Sequence, residues 1–106
     1  MSGTKHDIGK IQLELLPVDS LIEVTKVLQF GAEKYGKWNW SKGLNYTRII
    51  GAILRHTFLY LGGEDKDQES GLNHIAHVAC NCLFLIHFSN YKKELDDREK
   101  AAYEIG

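Results

Sequence analysis

At 106 residues, with 43% hydrophobic and 25% charged residues, the chain has the make-up of one globular domain, large enough to bury a core and small enough that an active site can need a neighbouring copy to close it. A formal net charge of -1 excludes a general nucleic-acid binder, which would be strongly basic. No apolar run is long enough to span a bilayer and the N-terminal MSGTKHDIGK lacks the apolar centre of a signal peptide, so a cytoplasmic protein without a membrane partner is expected.

Residues 1–17 read as an irregular arm, polar at first and then carrying Ile8, Ile11, Leu13, Leu15 and Leu16, ended by Pro17. This arm is expected to lie across the body of the fold or across a partner. Ser20 followed by Glu23 has the form of a capping box, and Leu21, Val24, Val27, Leu28, Gly31 and Ala32 recur at helical spacing, which predicts a first helix from about Asp19 to Lys34. The small pair Gly31 and Ala32 would admit another helix closely.

The following stretch, YGKWNWSKGLNY, is broken by Gly36 and Gly43 and reads as a loop. It gathers Tyr35, Trp38, Trp40 and Tyr46 beside Lys34, Lys37, Lys42 and Asn39. Aromatic faces stack on flat heterocycles, ammonium groups pair with phosphates, and an asparagine amide can read a purine edge. Trp40 serves equally well as a plug for the end of a small bundle.

Thr47 is a candidate cap for a second helix whose apolar stripe is Ile50, Ile53, Leu54, Thr57, Phe58 and Leu61, ended by Gly62 and Gly63; Arg48 and Arg55 lie seven apart on one face. Ser70 or Asn73 would cap a third helix running to about Tyr91, with Ile75, Val78, Ala79, Cys82, Leu83 and Ile86 toward the core and His74, His77 and Asn81 on a second face. Cys80 and Cys82, two apart on that helix, point to different faces and cannot pair with each other, as fits a reducing compartment. Residues 92–106 are a polar tail, either a solvated continuation of the helix or frayed. The predicted fold is all-α, a small bundle of three to four helices. Its wide apolar faces exceed what so short a chain can cover, which predicts a homo-oligomer, a dimer or tetramer.

The chemistry concentrates between Arg55 and Asn81, which hold three of the five histidines and four of the fourteen acidic residues. Glu64, Asp67 and Glu69 occupy a Gly-flanked polar segment, with His56 in the helix before it and His74 and His77 in the helix after. Taken singly, such a histidine is usually a hydrogen-bonded core residue and such an acidic run a solvated loop. Together they form a set that a divalent cation would satisfy.

FGAEKYGKWNW at residues 30–40 and LRHTFLYLGGEDKDQESGLNHIAHVACN at 54–81, with the looser KxxxGKxxxELLP at 5–17, resemble the small phage and bacterial dATP/dGTP diphosphohydrolases, relatives of the MazG-like all-α nucleotide pyrophosphohydrolases. The resemblance reaches to about Phe88. It implies a MazG-like bundle, in bacterial or phage-infected cytoplasm, that hydrolyses purine deoxynucleoside triphosphates, dGTP and dATP, to the monophosphate and pyrophosphate with Mg2+ or Mn2+. Some phage relatives, called MazZ, convert dGTP for genomes in which 2-aminoadenine replaces adenine. MazG-like enzymes generally bind metal through ExxE and ExxD on helices, whereas this third helix has His74 and His77 at the second spacing, and histidine ligation would favour manganese over magnesium.

On this reading the metal set is His56, Glu64, Asp67, Glu69, His74 and His77; one of Glu64, Glu69 or His77 activates water; Lys34 and Arg55 hold phosphates; and Tyr35, Asn39, Trp40 and Asn81 frame the base. Two other classes fit the same residues, a nucleotide-binding regulator without turnover and a helical interaction protein. A zinc phosphohydrolase of the histidine-aspartate type does not fit, because the chain's one His-Asp dipeptide is His6-Asp7 in the arm.

Overall fold

Three α-helices follow one another in the computed structural model, which describes residues 8–106: α1 over Val18–Tyr35, α2 over Tyr46–Leu61 and α3 over His74–Tyr91. Lys5 of the N-terminal motif and the His6-Asp7 dipeptide lie outside the described residues. Short 3-10 turns occupy Leu13–Leu15, Asn39–Lys42 and Lys93–Leu95, and among the described residues there is no strand. The class is all-α, and no helix among the described residues is long and apolar enough to cross a membrane.

α3 is the central helix, and its composition explains why. Its 18 residues contain no Asp, Glu, Lys or Arg, so it has to be covered on several sides. α1 covers one side, where Val24 and Val27 meet Ala76 and Cys80; α2 covers another, where Tyr46 and Ile49 meet Phe88. Phe84 belongs to both packings and joins them.

The buried face of α3 is therefore the line Ala76, Cys80, Phe84 and Phe88, four residues apart. This corrects the expected face: Ile75, Cys82, Leu83 and Ile86 are exposed. On α2 likewise, Tyr46 and Ile49 are the buried positions and Leu54, Phe58 and Leu61 face outward. A helix that is apolar nearly all round carries little periodic contrast from which a face can be read.

The helix starts also differ in detail. α1 begins at Val18 after Pro17 with no side-chain cap, so Ser20 and Glu23 sit inside it, Glu23 pairing with Lys26 at 3.1 Å. α2 begins at Tyr46, and Thr47 donates its N–H and hydroxyl to Asp97 at 2.9 and 2.6 Å instead of capping the helix itself. Asn73 does cap α3, accepting from Ile75 N at 2.7 Å. The tail thus folds back: Leu95 joins the packing around Tyr46 and Phe88 and lies against Gly43, where a Cβ would stand 2.5 Å from Leu95 Cδ1. Gly43 also has φ +88°, which glycine alone adopts without strain. In the arm, Ile8, Ile11, Leu13, Leu15 and Leu16 are all exposed.

Candidate functional site

The acidic segment between α2 and α3 is a closed loop held by its own backbone. Glu64 N donates to Leu59 O at 3.0 Å, Asp67 N to Leu72 O at 2.8 Å, Gly71 N to Asp67 O at 2.7 Å, and His74 N to Asp65 O at 2.9 Å. Two positive-φ glycines, Gly63 and Gly71, turn the chain at its ends. The loop presents Glu64 and Asp67 to the histidines of both flanking helices.

Three of the expected ligands converge. His56, Asp67 and His74 each offer a donor atom, all within 4.8 Å of one another. His56 Nδ1 lies 2.8 Å from His74 Nδ1, and His74, wholly buried, has its Nε2 2.6 Å from Glu64 Oε2. Asp67 Oδ2 accepts from Ser70 N at 2.8 Å and Ser70 Oγ at 2.9 Å. Ser70 Oγ is also 2.7 Å from His77 Nε2, and the His77 ring stacks on His56 with centroids 4.5 Å apart. Two imidazole nitrogens and a carboxylate are a donor set that fits manganese or another transition ion; magnesium prefers oxygen throughout.

Beside this cluster runs a cleft of about 820 Å³ between α1, the Gly36–Gly43 loop, the start of α2 and α3. Tyr35, Trp38 and Trp40 form its aromatic wall, Lys37, Lys42 and Arg48 bring positive charge, and among the described residues no Asp or Glu lines it. Gly31 is part of the lining with nothing within 4 Å of a built Cβ, so it keeps the cleft open and does not seat another helix as expected. Trp38 is 65% exposed and left-handed at φ 67°, a conformation costing a non-glycine residue roughly 1–2 kcal/mol. Trp40 stacks on Phe84 at 5.3 Å, plugging the bundle end, and also lines the cleft.

Of the expected substrate residues, Tyr35, Asn39, Trp40 and Asn81 line the cleft. Lys34 does not; its ammonium is hydrogen-bonded to Glu69 on the exposed surface, and this bond raises the Lys34 pKa. Glu69 is thus paired with Lys34 and is not among the residues that converge on the His56–Asp67–His74 cluster. Arg55 also lies off the cleft, close along its own helix to Gly51. Arg48, its partner seven residues earlier, is the α2 arginine on the cleft wall; the spacing marked both, and position along the helix chose between them. Ser70 is the residue missed outright, taken for a helix cap when it bridges Asp67 and His77. His77 belongs to both regions, lining the cleft and stacking on His56.

Burial holds the His56 and His77 imidazoles below their ordinary value of 6.5. Glu64 is held low by its bonds to His74 and Gln68; burial pushes Asp67 up, but the Ser70 bonds outweigh it and leave it lowered. The signs agree. With depressed histidines the unfolded chain takes up protons first, so stability present above about pH 6.5 is lost as pH falls below it, and the two carboxylates lose their contribution lower still. The thermal midpoint of the metal-free chain should therefore drop between about pH 7.5 and about pH 5.5; a midpoint that is flat or rises toward acid would contradict neutral, buried histidines.

The sequence of residues 1–98 matches the family model described as dATP/dGTP diphosphohydrolase, N-terminal. A curated relative from Salmonella phage PMBT28, named dATP/dGTP diphosphohydrolase, is 38% identical over 102 residues, covering 96% of this chain and 35% of the relative. The chain thus spans about a third of the length of the curated relative it matches. No solved structure matches it.

Proposed function

The chain belongs to the dATP/dGTP diphosphohydrolase family through that family's N-terminal domain, and from this premise we propose that it hydrolyses dGTP and dATP to the monophosphate and pyrophosphate with a divalent metal. One junction supports the reading: at His77, a cleft with aromatic and cationic walls runs into the cluster of His56, Asp67 and His74. A flat base suits the indoles, a triphosphate suits a wall with three cations, and the phosphate end would face the cluster.

Each residue then has a role. Trp38, Trp40 and Tyr35 hold the base, Asn39 and Asn81 offer amides to its edge, and Arg48, Lys37 and Lys42 neutralise phosphate oxygens. Water attacks the α-phosphorus, the bond from that phosphorus to the oxygen bridging to the β-phosphate breaks, and pyrophosphate leaves. The proton of the water goes to His77. Of the three candidate bases it alone lines the cleft, and since Ser70 Oγ donates to Asp67 and so accepts from His77 Nε2, the proton goes to His77 Nδ1. A divalent ion held by His56, Asp67 and His74, for which Mn2+ suits the donor set better than Mg2+, would supply charge neutralisation at the phosphates. The outward apolar surface is assigned to a second copy of the chain, making a homo-oligomer.

The test is an assay of all eight ribo- and deoxynucleoside triphosphates with manganese, resolving pyrophosphate from single phosphate. Purine deoxynucleotides should lead. Arg48→Ala should lower kcat/KM for every triphosphate by about 10- to 100-fold, the worth of a charge-assisted hydrogen bond. Asn39→Ala should lower dGTP more than dCTP, because stacking tolerates any base and discrimination rests on polar groups. Absence of pyrophosphate from all eight would sink the reading, and thermal stabilisation by nucleotide without turnover would identify a binding regulator instead.

A further inference from the structure

Glu64 stands behind His74, on the side away from where the donor atoms converge. Its Oε2 lies 2.6 Å from His74 Nε2, and its Oε1 accepts from Gln68 Nε2 at 2.9 Å. A carboxylate accepts through both its oxygens, Oε1 here from Gln68 and Oε2 from His74, so the hydrogen between Glu64 and His74 sits on Nε2. The other ring nitrogen, Nδ1, faces His56 Nδ1 at 2.8 Å and is the one left to serve as a ligand. His74 is completely buried and cannot turn to exchange its two nitrogens without losing both partners.

Asp67 is prepared in a parallel way. Both bonds from Ser70 fall on Oδ2, and the carboxylate so held has an oxygen within 4.8 Å of the donor nitrogens of His56 and His74. His77 braces this arrangement through Ser70 and through its stack on His56. Two imidazoles at right angles on one transition ion, each bonded at about 2.1 Å, stand about 3.0 Å apart. The 2.8 Å separation of the two Nδ1 atoms is therefore close to the spacing of two ligands on one ion, and it is equally the length of a hydrogen bond between two histidines in a purely structural chain.

We propose that the metal centre is formed by His56 Nδ1, His74 Nδ1 and Asp67, and that Glu64 is a positioning residue that fixes the tautomer and ring orientation of His74 without binding the ion. The proposal rests on the metal-dependent reading above and divides its candidate ligands. Three bind, Glu64 acts through one of the three, and Glu69 takes no part, being paired with Lys34. A ligand histidine whose far nitrogen donates to a carboxylate is oriented and made more basic by it. The nitrogen-rich set also implies selection of Mn2+, Co2+ or Zn2+ over Mg2+.

The experiment is metal titration of the purified chain by calorimetry, using Co2+, Mn2+ and Mg2+, with the visible spectrum of the Co2+ form recorded for each variant. Asp67→Ala and His56→Ala should lose the Co2+ site. Glu64→Gln, nearly isosteric and able to accept from His74 Nε2–H through its amide oxygen, should keep the stoichiometry and the Co2+ bands. Glu64→Ala should keep both as well, with affinity lowered about 10- to 100-fold. Loss of the ion from Glu64→Gln, or Co2+ bands displaced as they are on losing a ligand, would make Glu64 a ligand and overturn the proposal; so would a wild-type chain that fails to take up Co2+ saturably. Normal Co2+ binding with no pyrophosphate from any triphosphate would instead overturn the hydrolase reading and leave the metal centre standing. Circular dichroism melts of each variant separate ligand loss from unfolding.

Discussion

Asp67→Asn should abolish turnover while the helical chain stays folded. The amide keeps an oxygen able to accept from Ser70 N and Ser70 Oγ, now 2.8 and 2.9 Å from Asp67 Oδ2, so the loop between α2 and α3 retains its closure. What disappears is the negative charge beside His56 and His74. Losing several kcal/mol of charge stabilisation in the transition state corresponds to a fall in kcat/KM of about 10²- to 10³-fold or more. Asp67→Ala should be as inactive and also less stable, by about 1–3 kcal/mol, because it strands the Ser70 donors. From the sequence alone this carboxylate passes for a loop residue whose removal would cost little; its place inside the hydrogen-bonded loop changes that. Pyrophosphate release and a denaturant melt, run together, check both parts. Turnover within tenfold of the wild type in Asp67→Asn would remove Asp67 from the centre.

Phe58→Asp should convert an assembled protein into a monomer. Leu54, Phe58 and Leu61 are 46%, 64% and 79% exposed along one side of α2, and on α3 Leu83 and Ile86 are exposed as well. Among the described residues this apolar surface has no cover. Burying a phenylalanine contributes about 2–3 kcal/mol, and a two-fold interface uses each position twice. An aspartate there forfeits that contribution on both sides and adds two desolvated charges. Light scattering at micromolar concentration should give a dimer or larger for the wild type and a monomer for Phe58→Asp. A wild-type chain that is monodisperse and monomeric would remove the assembly from the proposal.

The sequence by itself determined the three helices and the stretch in which the histidines and carboxylates gather, because these depend on near neighbours. Apolar spacing, the breaks at Pro17, Gly36, Gly43 and Gly62, and the Asn73 cap act within a few residues, and the helices end close to where those signals stand. His56, Asp67 and His74 were legible only within a larger set of six, since a short loop between two helices brings its flanks together without saying which side chains meet. Which face of α3 is buried was decided by tertiary packing, for a helix without a charged residue offers several equivalent stripes and two neighbours select one. The same holds for Arg48 over Arg55, two arginines on one face of α2 of which the cleft reaches only the N-terminal one. The carboxylates divided in the same way: backbone bonds inside the loop set Glu64 behind His74 and Asp67 beside both imidazoles, while Lys34, 35 residues away in sequence, drew Glu69 off. Thr47 was bonded by Asp97 across 50 residues. Such contacts depend on where the chain returns in space, and no local pattern records that.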